Sequence, residues 1–510
     1  MSSAHFADPQ VIVPTRSIEG AERLANTHPA DWRNPKPLST YHLLVIGAGP
    51  AGLVAARAAA ALGAQVALIE RHQLGGGCLN DGCIPSKSLI RTGRLLADMR
   101  NAENFGVVAP TALAFDFRAA MLRMRRITTR ISRSDSAMNL AREGIHLFFG
   151  SACFTGPDTV DVDGVRLSFK KALIATGSSP VLPHIPGLAD AGFLNNKTVF
   201  DLQVLPKSLL VIGGGPLGCE LAQVFARFGS RTLISHSEPL FLPLEERDAA
   251  QMVSDAMARD GVEIHLNTIV ASVRVEGGKK VVELRGDGNT ATTQVDEILT
   301  GIGRRPSVQG LGLEAAGVSY DAQAGIHVDD FLRTSNPRIF AAGDVCLEHP
   351  FTNTAAASAR IVVRNALFLG RQRMSALTIP WCTYTDPEIA HVGLYVKEAR
   401  QRRIPVKTFT IPMHDVDRAI TDSEEDGFVK IHVREGGDKI LGATIVARHA
   451  GEMINSISLA MVAGIGLRTL ATVVQAYPTQ GAAIRQAADA YVRTRLSPSL
   501  ATLARRWLRR

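Results

Sequence analysis

The chain has 510 residues, too many for one core, and at ~150 residues per domain it divides into roughly three to four domains. Hydrophobic residues make up 46% and charged residues 20%, with 45 glycines and only six cysteines, which excludes a disordered, collagen-like or disulfide-scaffolded protein. The formal net charge of +8 is moderate for this length and is read as a solvated surface rather than a nucleic-acid footprint.

The first 40 residues lack an apolar targeting core and carry Asp8, Glu19, Glu22 and Asp31, so a cytoplasmic location is expected. They are rich in Pro, Asn, Asp and His without a clear period, and read as an extension packed on the surface. The longest apolar stretch, Leu53 to Glu70, is interrupted by Arg57 and Gln65 and is not a membrane span.

Tyr41 to Ile46 is a short apolar run of buried-strand character. It enters Gly47-Ala-Gly-Pro-Ala-Gly52, then a predicted helix from Leu53 to Leu62, then a strand from Gln65 to Ile69 that ends in Glu70. This pattern predicts a dinucleotide site. Gly47 permits the tight turn, Gly49 lets backbone approach a pyrophosphate, and Gly52 lets helix pack on strand. The helix N-terminus supplies N–H donors, and Glu70 is placed to accept from ribose hydroxyls.

Next comes Gly75-Gly-Gly-Cys78-Leu-Asn-Asp-Gly-Cys83-Ile-Pro-Ser-Lys87. Cys83, just before Pro85, fits the first turn of a helix, where a thiolate is favoured. Lys87 lies four residues on, on the same helical face. The pair reads as a redox-active disulfide; a pair of structural thiols, or zinc with only His72 near, are the alternatives. Cys153, Cys219, Cys346 and Cys382 are expected to be packed thiols.

The strand–turn–helix–strand order recurs from Ser208 to His236. Gly213-Gly-Gly-Pro-Leu-Gly218 forms the turn and Glu220 to Phe228 the helix, with His236 where the first unit has Glu70. One glycine-rich fingerprint is a weak signal; two between predicted strands and helices are a strong one. Glu263 to Ile302 is strand-rich, and Ile339 to Asp344 is a strand ending at Gly343-Asp344. From about Ile379 strands and helices read as a separate α+β domain. The tail from Leu496 ends with four arginines in its last six residues.

The landmarks GAGPAG, GGGCLNDGCIPSK, ATGSSP, GGGPLGCE, GRRP, FAAGD and YTDPEIAHVG resemble the pyridine nucleotide–disulfide oxidoreductases, a family that includes glutathione reductase, dihydrolipoamide dehydrogenase and mercuric reductase. The resemblance runs from Tyr41 to about Pro498. Asp31-Trp-Arg-Asn-Pro35 and Tyr477-Pro-Thr-Gln480 look most like a branch often labelled mercuric reductase. The resemblance implies an α/β protein with two Rossmann-like domains, for FAD and NAD(P), and a C-terminal α+β dimerisation domain. The expected boundaries are 1–40 extension, 41–190 FAD-binding, 191–303 NAD(P)-binding, 304–375 central, 376–498 dimerisation and 499–510 basic tail.

The resemblance also implies roles. Cys78 is the interchange thiol facing the acceptor, Cys83 the charge-transfer thiol against the flavin, and Lys87 pairs with Glu220 near flavin N5. Gly343 and Asp344 hold the ribityl chain and Thr352 lies near the pyrimidine end. Gly77, Thr176, Gly177 and Gly303 complete the cofactor contacts of the two fingerprints Gly47, Gly49, Gly52 with Glu70, and Gly213, Gly215, Gly218 with His236. A homodimer with shared active sites is expected.

Two departures bear on the acceptor. The family's disulfide reductases carry His-Pro-Thr-x-x-Glu near the end, whereas this chain has Tyr477-Pro-Thr-Gln-Gly-Ala482, and its last histidine is His449. The terminal cysteine pair of mercuric reductases is also absent, the last cysteine being Cys382. The expected function is transfer of electrons from NAD(P)H through FAD to Cys78–Cys83 and on to a soft metal ion, with no permanent metal site and Tyr477 assisting. Reduction of a small or protein disulfide is the alternative, and a non-catalytic redox sensor the rival of another class.

Overall fold

The computed structural model describes residues 18–108, 114–368, 370–495 and 505–508. Residues 1–17 of the expected extension and most of the basic tail lie outside the described residues.

The first unit is a seven-stranded sheet with a parallel centre. Strand Tyr41–Ile46 is flanked by Val66–Glu70 and Val165–Ile174, with Ile145–Phe149 beyond the former and Ile339–Ala341 beside the latter. The central strand is apolar throughout because both faces are covered. Leu43 and Val45 pack towards helices Pro50–Ala61 and Thr352–Leu367, while Leu44 and Ile46 join Val308, Leu311 and Leu313 on the other side. The second unit is a four-stranded parallel sheet ordered Val262–His265, Arg231–Ser235, Ser208–Ile212 and Glu297–Thr300, with an antiparallel meander over 268–295. Both are Rossmann-like.

The third unit is α+β. Five antiparallel strands, ordered Pro380–Thr383, Glu388–Gly393, Ile440–Ala447, Phe428–Arg434 and Val406–Pro412, carry helices Ala450–Val462 and Ala482–Arg493. Buried ions tie it to helices Cys83–Arg100 and Pro216–Phe228. Arg227 bonds Asp260 at 2.9 Å and Asp386 at 2.8 Å, and Arg94 bonds Glu388 at 2.8 Å. Among the described residues no helix is long and apolar enough to cross a membrane.

The structure departs from the sequence expectation in two places. The extension read as aperiodic contains a helix, Ile18–Thr27, docked on helix Phe117–Ser132 through Asn26 to Ser132 (3.0 Å) and Thr129 to the Glu19 carbonyl (2.9 Å). Cys153, expected to be packed, is exposed, because strand Ala152–Gly156 alternates and turns it to the outer face. Cys219 is buried as expected.

Candidate active site

The two cysteines lie at a break between helices. Gly75, at φ +90°, opens the short helix Gly76–Asn80 that carries Cys78. Gly82 interrupts it, and Cys83 is the first residue of helix Cys83–Arg100. Both are unbonded thiols, close enough to hydrogen-bond each other. The Cys83 sulfur is 3.5 Å from the Thr352 hydroxyl.

The pair is electrostatically asymmetric. The hydrogen bond from Cys78, with help from Thr352 and the Lys87 charge, lowers the Cys83 thiol to about 6 against its burial. The helix N-terminus favours the same thiolate. Cys78 is pushed up, first by its bond to Cys83 and then by burial. One member is therefore held as thiolate and the other as thiol.

Lys87 maintains that field. Its ammonium bonds Glu220 at 2.7 Å, and Glu220 is only 3% exposed. Burial works against the Lys87 charge, but Glu220 and then Cys83 hold its pKa above the ordinary value. The other Glu220 oxygen accepts from the Tyr384 backbone N–H at 2.9 Å, and the Lys87 ammonium lies 4.5 Å from the centre of the Tyr384 ring. Tyr384 belongs to YTDPEIAHVG, but its place beside Lys87 was not legible, because a cation–π contact between residues so far apart leaves no trace in spacing.

The two glycine turns repeat each other in geometry as well as in sequence. Gly47 and Gly213 stand at φ +99° and +107°. A Cβ on Gly52 would lie 1.8 Å from the Gly47 carbonyl oxygen, and one on Gly218 2.2 Å from that of Gly213. Both turns therefore demand glycine for the close helix–strand approach. Gly49 and Gly215 each precede a helix that begins with proline. These cradles fit the pyrophosphate of a dinucleotide.

The ends of the second strands also correspond. The Ala48 N–H donates to Glu70 at 2.8 Å, and the Gly214 N–H donates to His236 Nδ1 at 3.2 Å. Glu70 accepts from the His72 N–H with its second oxygen, and burial raises its pKa. With Nδ1 accepting, the His236 ring proton sits on Nε2, a buried atom without a partner among the described residues. A buried donor of this kind calls for an acceptor from a ligand or water.

The redox segment docks on the first turn. The Gly75 N–H donates to the Ala48 carbonyl at 2.9 Å, and a Cβ on Gly76 would lie 2.7 Å from Gly49 Cα. A Cβ on Gly77 would stand 3.2 Å from an Asp81 carboxylate oxygen. Asp344, next to Gly343 at φ +77°, accepts from the Ser178 hydroxyl at 2.7 Å. Arg304 donates to that hydroxyl at 2.7 Å. Thr176 bonds the Ser307 carbonyl at 2.8 Å, and Gly177 and Gly303 have φ of +67° and +108°.

Tyr477 stands apart. It is 77% exposed, and among the described residues its hydroxyl donates to Asp417 at 2.7 Å rather than to either cysteine. Asp417, Arg418, Arg485 and Asp489 line a cleft of about 210 Å³ beside it. The Tyr477–Asp417 pair was not legible in the sequence, since its members are 60 residues apart.

Comparison with known proteins agrees with this geometry. Residues 41–360 match the family model described as pyridine nucleotide-disulphide oxidoreductase, and residues 379–488 match its dimerisation domain. A mercuric reductase of Staphylococcus aureus is 33% identical over 450 residues, covering 88% of this chain and 82% of that protein. A dihydrolipoyl dehydrogenase of Thermus scotoductus is 32% identical over 462 residues, covering 89% and 98%. The Cu(II) complex of the HOCl-induced flavoprotein disulfide reductase RclA from Escherichia coli superposes with a TM-score of 0.79 at 28% identity, covering 87% of this chain and 99% of that one.

Proposed function

The chain belongs to the pyridine nucleotide-disulphide oxidoreductase family, and on that premise we propose that its Cys78–Cys83 dithiol delivers electrons to a soft metal ion, as in a mercuric reductase. The family's FAD and NAD(P)H, when bound, supply a two-electron relay from reduced nicotinamide to the cysteine pair. In this reading the glycine turns at 47–52 and 213–218 hold the two dinucleotides, Glu70 and His236 face their riboses, and Gly343 and Asp344 orient the ribityl chain. Glu220 keeps Lys87 charged, the Lys87 charge favours the Cys83 thiolate, and Cys78 meets the acceptor.

The observation that carries the reading is the acid–base position. Where the family's disulfide reductases place His and Glu, this chain has Tyr477 bonded to Asp417, and Ala482. Disulfide exchange needs a proton for the leaving thiolate, and a placed acid–base group contributes on the order of 10²–10⁴ in rate. A metal ion needs none. Two thiolates are soft ligands; Hg(II) takes both electrons and no proton, and Cu(II) takes one electron per ion. The copper complex of the structural relative supports the same chemistry. The dihydrolipoyl dehydrogenase relatives favour a second reading, reduction of a small disulfide with Tyr477 as a weak acid.

Anaerobic turnover of NADPH with Hg(II), Cu(II), oxidised glutathione, lipoamide and a quinone separates the readings. Metal-dependent oxidation lost in Cys78→Ser is expected. Rates near ~10 per second with lipoamide or glutathione, and none with either metal, would sink the metal reading. A single reduction without cycling would point to a sensor.

A further inference from the structure

Glu245 is a buried carboxylate, 7% exposed, and among the described residues its side chain is held by neutral donors alone. The Trp381 indole N–H donates to Oε1 at 3.3 Å and the Tyr395 hydroxyl to Oε2 at 2.7 Å. Burying a carboxylate is costly, and apolar side chains in place of all three groups would hold the contact as well. Adhesion does not require Glu245, because Glu246 beside it binds Lys430 at 2.6 Å. Lys430 is a point charge on a flexible stem, so it retains the chain without fixing its register. The two aromatic donors stand on rigid rings.

The contact joins two units. Glu245 lies nine positions past His236 in the second, in a turn gathered by Arg247, which donates to the Leu242 carbonyl at 2.6 Å and the Glu245 carbonyl at 2.8 Å. Trp381 and Tyr395 belong to the third. Trp381 pairs with His391 across strands Pro380–Thr383 and Glu388–Gly393, and the His391 ring stacks on Tyr395 at 3.6 Å. Trp381 also leads to the redox site. Its ring lies 6.1 Å from that of Phe351 and 11° from parallel, and Phe351 precedes Thr352, whose hydroxyl faces Cys83. Asn353 donates to the Pro380 carbonyl at 2.8 Å. Beyond the same strand, the Tyr384 N–H holds Glu220 and through it Lys87.

We propose that Trp381 and Tyr395 are positioning residues for reduction by the coenzyme: by holding Glu245 they set the second unit in register with the strand that leads to Glu220 and the helix start that carries Thr352. The inference rests on the reading that the second unit binds the nicotinamide coenzyme, and it is independent of the acceptor. Neither residue touches a reacting atom. Without their two bonds the turn stays attached through Glu246 but is free to shift, and a misplacement of about 1 Å is enough to slow a reaction severely.

The test uses the full-length holoenzyme without any acceptor. Trp381→Phe and Tyr395→Phe each keep a ring and remove one donor, and a triple variant adds Glu245→Leu to both. Amide-exchange protection over residues 240–246 is read before coenzyme is added. Stopped flow then gives the limiting rate of flavin reduction and the Kd for NADPH, beside the rate of reduction by dithiothreitol. Protection should fall about tenfold in the single variants. The limiting rate should fall on the order of tenfold in all three, with Kd and the dithiothreitol rate within about twofold of wild type. The triple variant, having no buried carboxylate, should melt no lower than the wild type and still be reduced slowly by NADPH. A purely structural contact would instead lower the melting temperature and leave the limiting rate alone. A triple variant reduced at the wild-type limiting rate overturns the proposal, as does an equal loss of rate with dithiothreitol. Wild type that neither NADPH nor NADH reduces would sink the underlying coenzyme reading and the proposal with it. Should the single variants fail to fold, the triple variant decides.

Discussion

Cys83 and Cys78 differ in chemistry because they differ in what surrounds them. The first begins a helix under the Lys87 charge and near Thr352, and the second is held as the bonded thiol. Titration with reductant should therefore give a long-wavelength charge-transfer band that disappears in Cys83→Ser and persists in Cys78→Ser. The band should fade as pH falls through about 6, where the Cys83 thiolate is protonated. Lys87→Met removes a favourable charge, so its band should fade at a higher pH. Equal behaviour of the two cysteine variants would refute the assignment of roles. At the acceptor end, Tyr477→His combined with Ala482→Glu should gain glutathione or lipoamide reduction by on the order of 10²-fold. Asp417→Asn tests the newly found partner. If Tyr477 acts through that carboxylate, this variant should lower metal turnover as Tyr477→Phe does; if Tyr477 is only an interface aromatic, neither will.

The paired turns were legible in the sequence because backbone geometry dictates their residues. Only glycine tolerates φ near +100° at Gly47 and Gly213, and only glycine leaves room at Gly52 and Gly218 for the carbonyl below. Gly52→Ala should thus cost flavin retention and about 1–3 kcal/mol of stability, read by flavin release on heating, whereas Gly218→Ala should raise KM for the nicotinamide coenzyme and leave flavin content alone. The ends of the second strands were legible as positions but not as geometry. His236 takes the bond from Gly214 that Glu70 takes from Ala48, and it turns a donor rather than an acid towards the site. We therefore expect kcat/KM to favour NADPH over NADH, and His236→Glu to reverse the preference by about tenfold or more. Helix Ile18–Thr27 was not legible. It is held to the body by polar bonds to residues more than a hundred positions away, and only Gly20 and Thr27 are buried in it, so its apolar face does not fix its place. The hydrogen bond from Tyr477 to Asp417 escapes for the same reason: the partners meet only once the chain has folded.

At the scale of the molecule, the three units share one charge lattice. Arg94 from the first unit reaches Asp386 and Glu388, and Arg227 from the second reaches Asp386, at the edge of the dimerisation domain. Arg448 in that domain returns the contact by bonding Asp98 at 2.6 Å. Residues 379–488 match the family's dimerisation domain, which supports a homodimer, and exposed Val474 and Tyr477 lie within it. If active sites are shared across the interface and Tyr477→Phe lowers turnover, Cys78→Ser and Tyr477→Phe chains mixed and allowed to exchange should exceed the activity of either homodimer. Each mixed dimer then contains one site with both native residues. Mixing without recovery would place Tyr477 outside the acceptor site.

The most direct test of the central claim is a count of elemental mercury. Under anaerobic conditions the holoenzyme is given NADPH and Hg(II) with a thiol buffer, and the mercury vapour released is compared with the coenzyme consumed. One mercury atom is expected for each NADPH oxidised, and no vapour from Cys78→Ser, whose flavin is still reduced. No vapour from Hg(II) and no coenzyme consumed with Cu(II), together with brisk reduction of lipoamide, would contradict the claim.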